Sequence, residues 1–256
     1  MTVARRALPC LALLALACDG PVADVTATNP PTMPPPQVSP PPDAAPPDGG
    51  LESAMTDHFG AIREIQVGVV RGLLDHVKER GVWLAGHLQA PGYEDRTVEL
   101  AVLHAEATTL AAANDLARAA RQAARLGGAC GSCHVASRAA VELVHDELPR
   151  PTTTLAARMR RHGWASDRMW EGLVAPSKDL WRLGAQTLVD APLIEDPRLD
   201  VMPRAAEVKA LALRVRRLAR AAVAGRDAAR RVEIYGELLA TCSSCHTIAW
   251  PIVRAK

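Results

Sequence analysis

The sequence predicts an all-α protein built from two tandem four-helix bundles. Three observations carry that expectation. Ala, Leu, Val and Arg dominate the 256 residues, while aromatics make up 3% and there is a single Phe, a composition that favours helices over strands. Apolar residues recur at spacings of three and four, the stripe of an amphipathic helix. And the whole plan of stripes, loops and caps occurs twice.

Residues 1–18 read as a targeting segment rather than as part of the fold. Arg5 and Arg6 form a positive start, and residues 11–17 form an apolar run too short to span a bilayer as a mature helix. The run ends Leu16-Ala17-Cys18 and continues Asp19-Gly20. That resembles a bacterial lipoprotein signal, with Cys18 as the lipidated first residue, although Ala15 stands where Leu is commonest. Plain secretion is the alternative. Both routes lead out of the cytoplasm, to a periplasmic or cell-envelope location, anchored to a membrane where Cys18 is lipidated. Residues 19–50 form a linker, in which Pro30-Pro31, Pro34-Pro35-Pro36, Pro40-Pro41-Pro42 and Pro46-Pro47 preclude helix and favour polyproline II. It serves as a semi-rigid spacer or as a disordered tail.

The first bundle is expected over residues 51–148. Met55, His58, Ile62, Ile65 and Val69 form its first stripe. A second helix runs over about 73–87, and a loop with Pro91-Gly92 follows. Leu100, Leu103, Ala107 and Leu110 mark a third helix. Asn114-Asp115 breaks or caps it, and a fourth helix leads into Cys130, its pattern continuing to about His145. Pro149 and Pro151 mark the boundary, and the second bundle is expected over 149–256. Met159, His162, Ser166, Met169 and Leu173 repeat the first stripe. Pro176 begins or kinks the next helix, with Leu180, Trp181 and Leu188. After a Pro-rich loop over 192–203 come Val208, Leu211, Val215, Leu218 and Ala222, ended by Gly225. Asp227 caps the last helix. Trp83 and Trp181 are expected in the core.

Both fourth helices carry C-x-x-C-H, as Cys130-Gly131-Ser132-Cys133-His134 and Cys242-Ser243-Ser244-Cys245-His246. This is the attachment signature of a c-type haem. Two thiols one turn apart can add to the two vinyl groups of one haem, and the adjacent His offers a ring nitrogen to the iron. A thioredoxin-like dithiol would sit beside a β-α-β unit, and no strand pattern lies nearby. A zinc site could pair the two C-x-x-C knuckles, but they lie 112 residues apart and zinc gives no reason for a His after each. The motifs therefore predict two covalently attached haems, with His134 and His246 as proximal iron ligands.

A sixth ligand must come from elsewhere. His58 and His162 lie at matching places, 104 residues apart, on the inward stripes of the first helices. They are the favoured distal ligands. The alternative is Met55 and Met159, one turn earlier on the same face. A His on an apolar stripe is, in isolation, more often a satisfied core residue; its recurrence is what singles this pair out. His76, His87, His104 and His145 have no counterparts in the second half and are expected to be surface or structural.

Four helices per half, with C-x-x-C-H on the last, resemble the class II cytochromes c, the cytochrome c′ and cytochrome c-556 type of four-helix bundle. The resemblance covers residues 52–256 as two copies. It implies haem held in each bundle core, with a Met ligand from the first helix or an apolar residue that leaves the iron five-coordinate. Met55 and Met159 could match that Met, while His58 and His162 depart from the pattern.

These readings predict a dihaem electron-transfer protein, not an enzyme, that exchanges electrons with redox partner proteins. If the iron is open on one side, the expectation becomes binding of a diatomic gas such as NO or CO. A dihaem peroxidase is the third reading. No nucleic-acid partner is expected. Loss of residues 1–17 leaves 28 basic and 28 acidic residues, and no basic run stands out. Arg214, Arg216, Arg217 and Arg220 interleave with apolar positions as a solvated helix face.

Overall fold

A computed structural model describes residues 50–88, 95–139, 141–143, 146–151, 153–202, 204–225 and 227–249. Residues 1–49, with Cys18 and the Pro-rich stretch, the Pro91-Gly92 pair and His145 lie outside them, and with them the export and linker expectations. The described residues are all-α: α1 Gly50–Arg71, α2 Leu74–Gly86, α3 Thr97–Ala111, α4 Leu116–Ser137, α5 Leu155–Val174, α6 Lys178–Asp190, α7 Ala205–Ala224 and α8 Ala228–Ala249, with two short 3-10 turns at Leu193–Glu195 and Pro197–Val201. No described residue is in a strand.

Local chemistry sets the ends. The Asp115 carboxylate accepts the Arg118 amide at 2.7 Å and starts α4; the Asp227 carboxylate accepts the Arg230 amide at 2.7 Å and starts α8. Ser177 caps α6 and Thr154 caps α5 in the same way. One expectation is corrected. The helical pattern past the first motif was expected to reach about His145, but α4 stops at Ser137. Arg138 turns left-handed at φ 53°, and the Arg138 and Ala139 amides close back on Val135 and His134.

Within each half, consecutive helices pack on one another. Across the halves, α4 packs on α8 and α5, and α1 packs on α8. The described helices thus belong to one compact unit. The α4–α8 contact is antiparallel: a Cβ on Gly128 would meet Val232 and a Cβ on Gly236 would meet Ala124. Ala124 and Gly236 are equivalent positions, 112 residues apart. So are Arg63 and Asp167, 104 residues apart, which form an ion pair at 2.8 Å. Equivalent positions meet where a local two-fold relates the two copies.

One core runs through both halves, from Ile65 and Val69 through Ala119 and Ala123 to Trp170, Tyr235 and Leu239. Fully burying a large apolar side chain contributes roughly 1.5–3 kcal/mol, so this shared core ties the copies together. Tyr235 packs on Trp170 at a ring distance of 5.7 Å; its hydroxyl donates to the Ser166 carbonyl at 3.0 Å and accepts from Gln66 Nε2 at 3.0 Å. Trp181 is buried and donates Nε1–H to Ala222 at 2.9 Å. Trp83 packs at the core margin.

Candidate functional site

Both C-x-x-C-H motifs occupy the last turns of the two central helices. In each, the cysteines lie three residues apart on one helix face, and the histidine follows directly. Burial pushes the Cys130 and Cys242 thiols up to about 12, and raises Cys133 and Cys245 as well. All four cysteines are free of disulfides. Among the described residues, no three His, Cys, Asp or Glu side chains converge to hold a metal ion. The four thiols therefore do not form a single four-sulfur site.

The histidines are held through one specific nitrogen. His134 donates Nδ1–H to the Val174 carbonyl at 2.7 Å, and His246 donates Nδ1–H to the Val70 carbonyl at 3.0 Å. A neutral imidazole that donates from Nδ1 carries its lone pair on Nε2, the tautomer of a metal ligand. Burial lowers the proton affinity of His246 and keeps its ring neutral at pH 7.

His58 and His162 are held the opposite way round. His58 donates Nε2–H to the His87 carbonyl at 2.8 Å, and His162 donates Nε2–H to the Ala191 carbonyl at 2.8 Å. Both acceptors lie 29 residues further along, at the end of the second helix of the same half. Burial lowers the pKa of both, His162 to about 4, so each is neutral at pH 7. The bonds fasten the first helix to the start of the loop that leaves the second.

In the second half that loop helps to line an apolar hollow. Leu155 and Met159 of α5, Val208 and Ala212 of α7, Cys245 and Ala249 of α8, and Leu193, Leu199 and Met202 of the loop surround it. Met159 and Cys245 thus share one apolar space. The loop is pinned by Asp196, whose buried carboxylate takes 2.7 Å hydrogen bonds from Arg198 and faces Arg158 at 3.4 Å. The bonds from Arg198 hold the Asp196 carboxyl below its ordinary range. Arg198 also reaches the Thr153 carbonyl ahead of α5. In the first half, Met55 and Cys133 pack against the main core, and residues 89–94 of the matching loop lie outside the described residues.

The donor set suits a haem c: two thiols on one helix face, an adjacent imidazole in the ligating tautomer, and a nearby thioether; the hollow itself, about 10 Å³, would have to open to admit one. Met side chains are the most readily rearranged of core fillers. The remaining histidines behave otherwise. His87 stacks on Trp83 at 4.3 Å, His76 lies 3.7 Å from the Glu64 carboxylate, and His104 is exposed. Arg214, Arg217 and Arg220 are exposed and Arg216 is partly so. Two functional groups had no signal in the sequence, the main-chain carbonyls of Val70 and Val174. A third, Met202, lies in the Pro-rich loop, where no stripe marks it. No family model, curated protein or solved structure matches the chain.

Proposed function

We propose that the chain is a dihaem c-type cytochrome that carries electrons at the cell envelope, with one haem in each of two class II-like four-helix bundles. Cys130, Cys133 and His134 would hold the first haem, and Cys242, Cys245 and His246 the second. One observation carries the reading. Each motif histidine donates Nδ1–H to a backbone carbonyl, in both copies, which leaves the ring lone pair on Nε2, the atom that would face iron. The part-buried cysteines support it further: burial raises their thiols and disfavours the thiolate that dithiol exchange uses, whereas an uncharged thioether suits such a site.

When bound, each haem would supply reversible one-electron exchange between Fe(III) and Fe(II). The chain's own residues would orient the motif histidines through their Nδ1 bonds, exclude water and set the polarity around the iron. On the distal side, Met159 and by analogy Met55 are the better candidates, because His58 and His162 have Nε2–H committed to carbonyls. The histidines would then act as tethers for the pocket loop. Cys18 would carry a lipid, and redox proteins would be the partners.

The committed Nε2–H groups also favour a second reading. Where the Met does not reach the iron, the distal side is open and a diatomic gas such as NO or CO could bind.

A pyridine haemochrome assay on the purified full chain tests the proposal. Two haems per chain are expected. None, after expression with a competent maturation system, would overturn it and return the cysteines to thiol or zinc chemistry.

A further inference from the structure

We propose that each half of the chain supplies the carbonyl that orients the axial histidine of the other half, so that neither haem site is complete within its own half. This rests on the haem reading above and adds to it where the orienting carbonyl comes from. His134 belongs to the first half and bonds Val174 of the second; His246 belongs to the second and bonds Val70 of the first. The donors lie 112 residues apart and the acceptors 104 apart, the separations that relate the two motifs and the two first helices. The same bond is thus made twice, crosswise.

The acceptors are not arbitrary carbonyls. An α-helix leaves its last carbonyls without intrahelical partners. At the end of α1, Gly68 and Val69 receive the Leu73 and Gly72 amides, and Val70 receives His246. At the end of α5, Glu171 receives the Ala175 amide, and Val174, the last helical residue, receives His134. Each histidine therefore donates to the negative end of a helix of 20 or 22 residues. Such an acceptor draws the Nδ1 proton, enriches the ring in electron density and favours ferric iron, which lowers the reduction potential.

The crossing is also built into the motif. A Cβ on Gly131 would lie 2.2 Å from the Leu173 carbonyl oxygen, so the first variable position of the first C-x-x-C-H is where α4 meets the end of α5. Trp170, one turn earlier on α5, fits against Gly127 in the same way, 2.6 Å from where its Cβ would be. Val70 and Val174 act through their main chain, as positioning residues.

The test acts on the first half and reads the second. Gly72 closes α1 at φ 76°, where a β-branched residue is strained and Asn is tolerated. In the full chain, both reduction potentials are followed in one titration through their resolved haem methyl resonances. Gly72→Val should raise the potential of the haem on Cys242 and Cys245 and leave that on Cys130 and Cys133 unchanged; Gly72→Asn should leave both unchanged. A shift of the first haem, of neither or of both equally would overturn the crossed arrangement. A wild-type measurement guards against a variant that fails to fold. In the diamagnetic ferrous protein the His246 ring N–H should show nuclear Overhauser contacts to backbone protons of Val70 and Arg71, and their absence would overturn the proposal. Lack of haem on Cys242 and Cys245 would overturn the haem reading together with this one. Haem present without those contacts would overturn this one alone.

Discussion

The two halves agree in their polar tethers and differ in their packing. His134 and His246 make the same bond, and so do His58 and His162. Asp115 and Asp227 cap the same helix. Around these points the side chains have diverged. Gly131 corresponds to the buried Ser243, and Trp83 and His87, stacked in the first half, correspond to Thr187 and Ala191. An apolar site can be refilled in many ways at small cost if its volume is kept. A buried imidazole needs its one acceptor at one place. The retained hydrogen bonds therefore mark what both copies need in common, and the packing marks what each copy solved separately.

The largest effect should come from removing one attachment site. Cys242→Ala with Cys245→Ala should reduce the haem count from two per chain to one and leave the spectrum of the remaining haem intact. Loss of both haems would mean that the copies mature as one unit.

Acid stability should sharpen the contrast between His162 and His58. His162 has a pKa of about 4 when folded, against 6.5 ordinarily. Between those values the unfolded chain binds a proton that the folded chain does not, so stability is lost as pH falls from about 6.5 to about 4. The loss amounts to about 3 kcal/mol. Glu171 works in the opposite sense. Burial raises its pKa to about 7, despite the Arg168 guanidinium 2.5 Å away, so it weakens the fold as pH rises toward 7. It is common to wild type and variant and cancels in the difference. His162→Gln should flatten the acid limb of a denaturation-against-pH curve, and His58→Gln, where burial lowers the imidazole less, should flatten it less.

A smaller effect separates two equivalent glycines. Gly172 faces backbone, with the Trp181 amide nitrogen 2.6 Å from where a Cβ would lie, whereas Gly68 faces the Val77 side chain at 2.8 Å. Gly172→Ala should cost near the top of the ~1–3 kcal/mol range for overpacking, and Gly68→Ala near the bottom. Urea unfolding of each variant measures the difference. Smallest of all, Asp115→Ala and Asp227→Ala should each cost about 1 kcal/mol by loss of a cap, with no difference between the halves.

Much of this arrangement was legible in the sequence, because helix stripes and caps are local. The stripes at Met55 to Val69 and Met159 to Leu173, the break at Asn114-Asp115, the Asp227 cap and Gly225 at the end of α7 are where the spacing put them. The doubled motif was equally plain. What escaped is non-local. Nothing in the spacing says that α4 lies on α8, because both present small residues on more than one face. Ala119, Ala120, Ala123, Ala124 and Gly127 are all buried, so a whole flank of α4 could receive a neighbour. The acceptors of the histidines are main-chain atoms, which leave no residue type to read. The stop of α4 at Ser137 was missed because Arg138, not a glycine, takes the left-handed turn.

The most direct test of the central claim is visible absorption of the purified chain, oxidised and reduced, with and without CO, alongside the haem count. Two covalent haems with sharp low-spin bands and no response to CO are the predicted result, and Met159→Ala should then open the second haem to CO while His162→Gln should not. Two haems that are high-spin and bind CO in the wild type would leave attachment intact but contradict six-coordinate electron transfer in favour of gas binding. A chain with no covalent haem would contradict the account at its root.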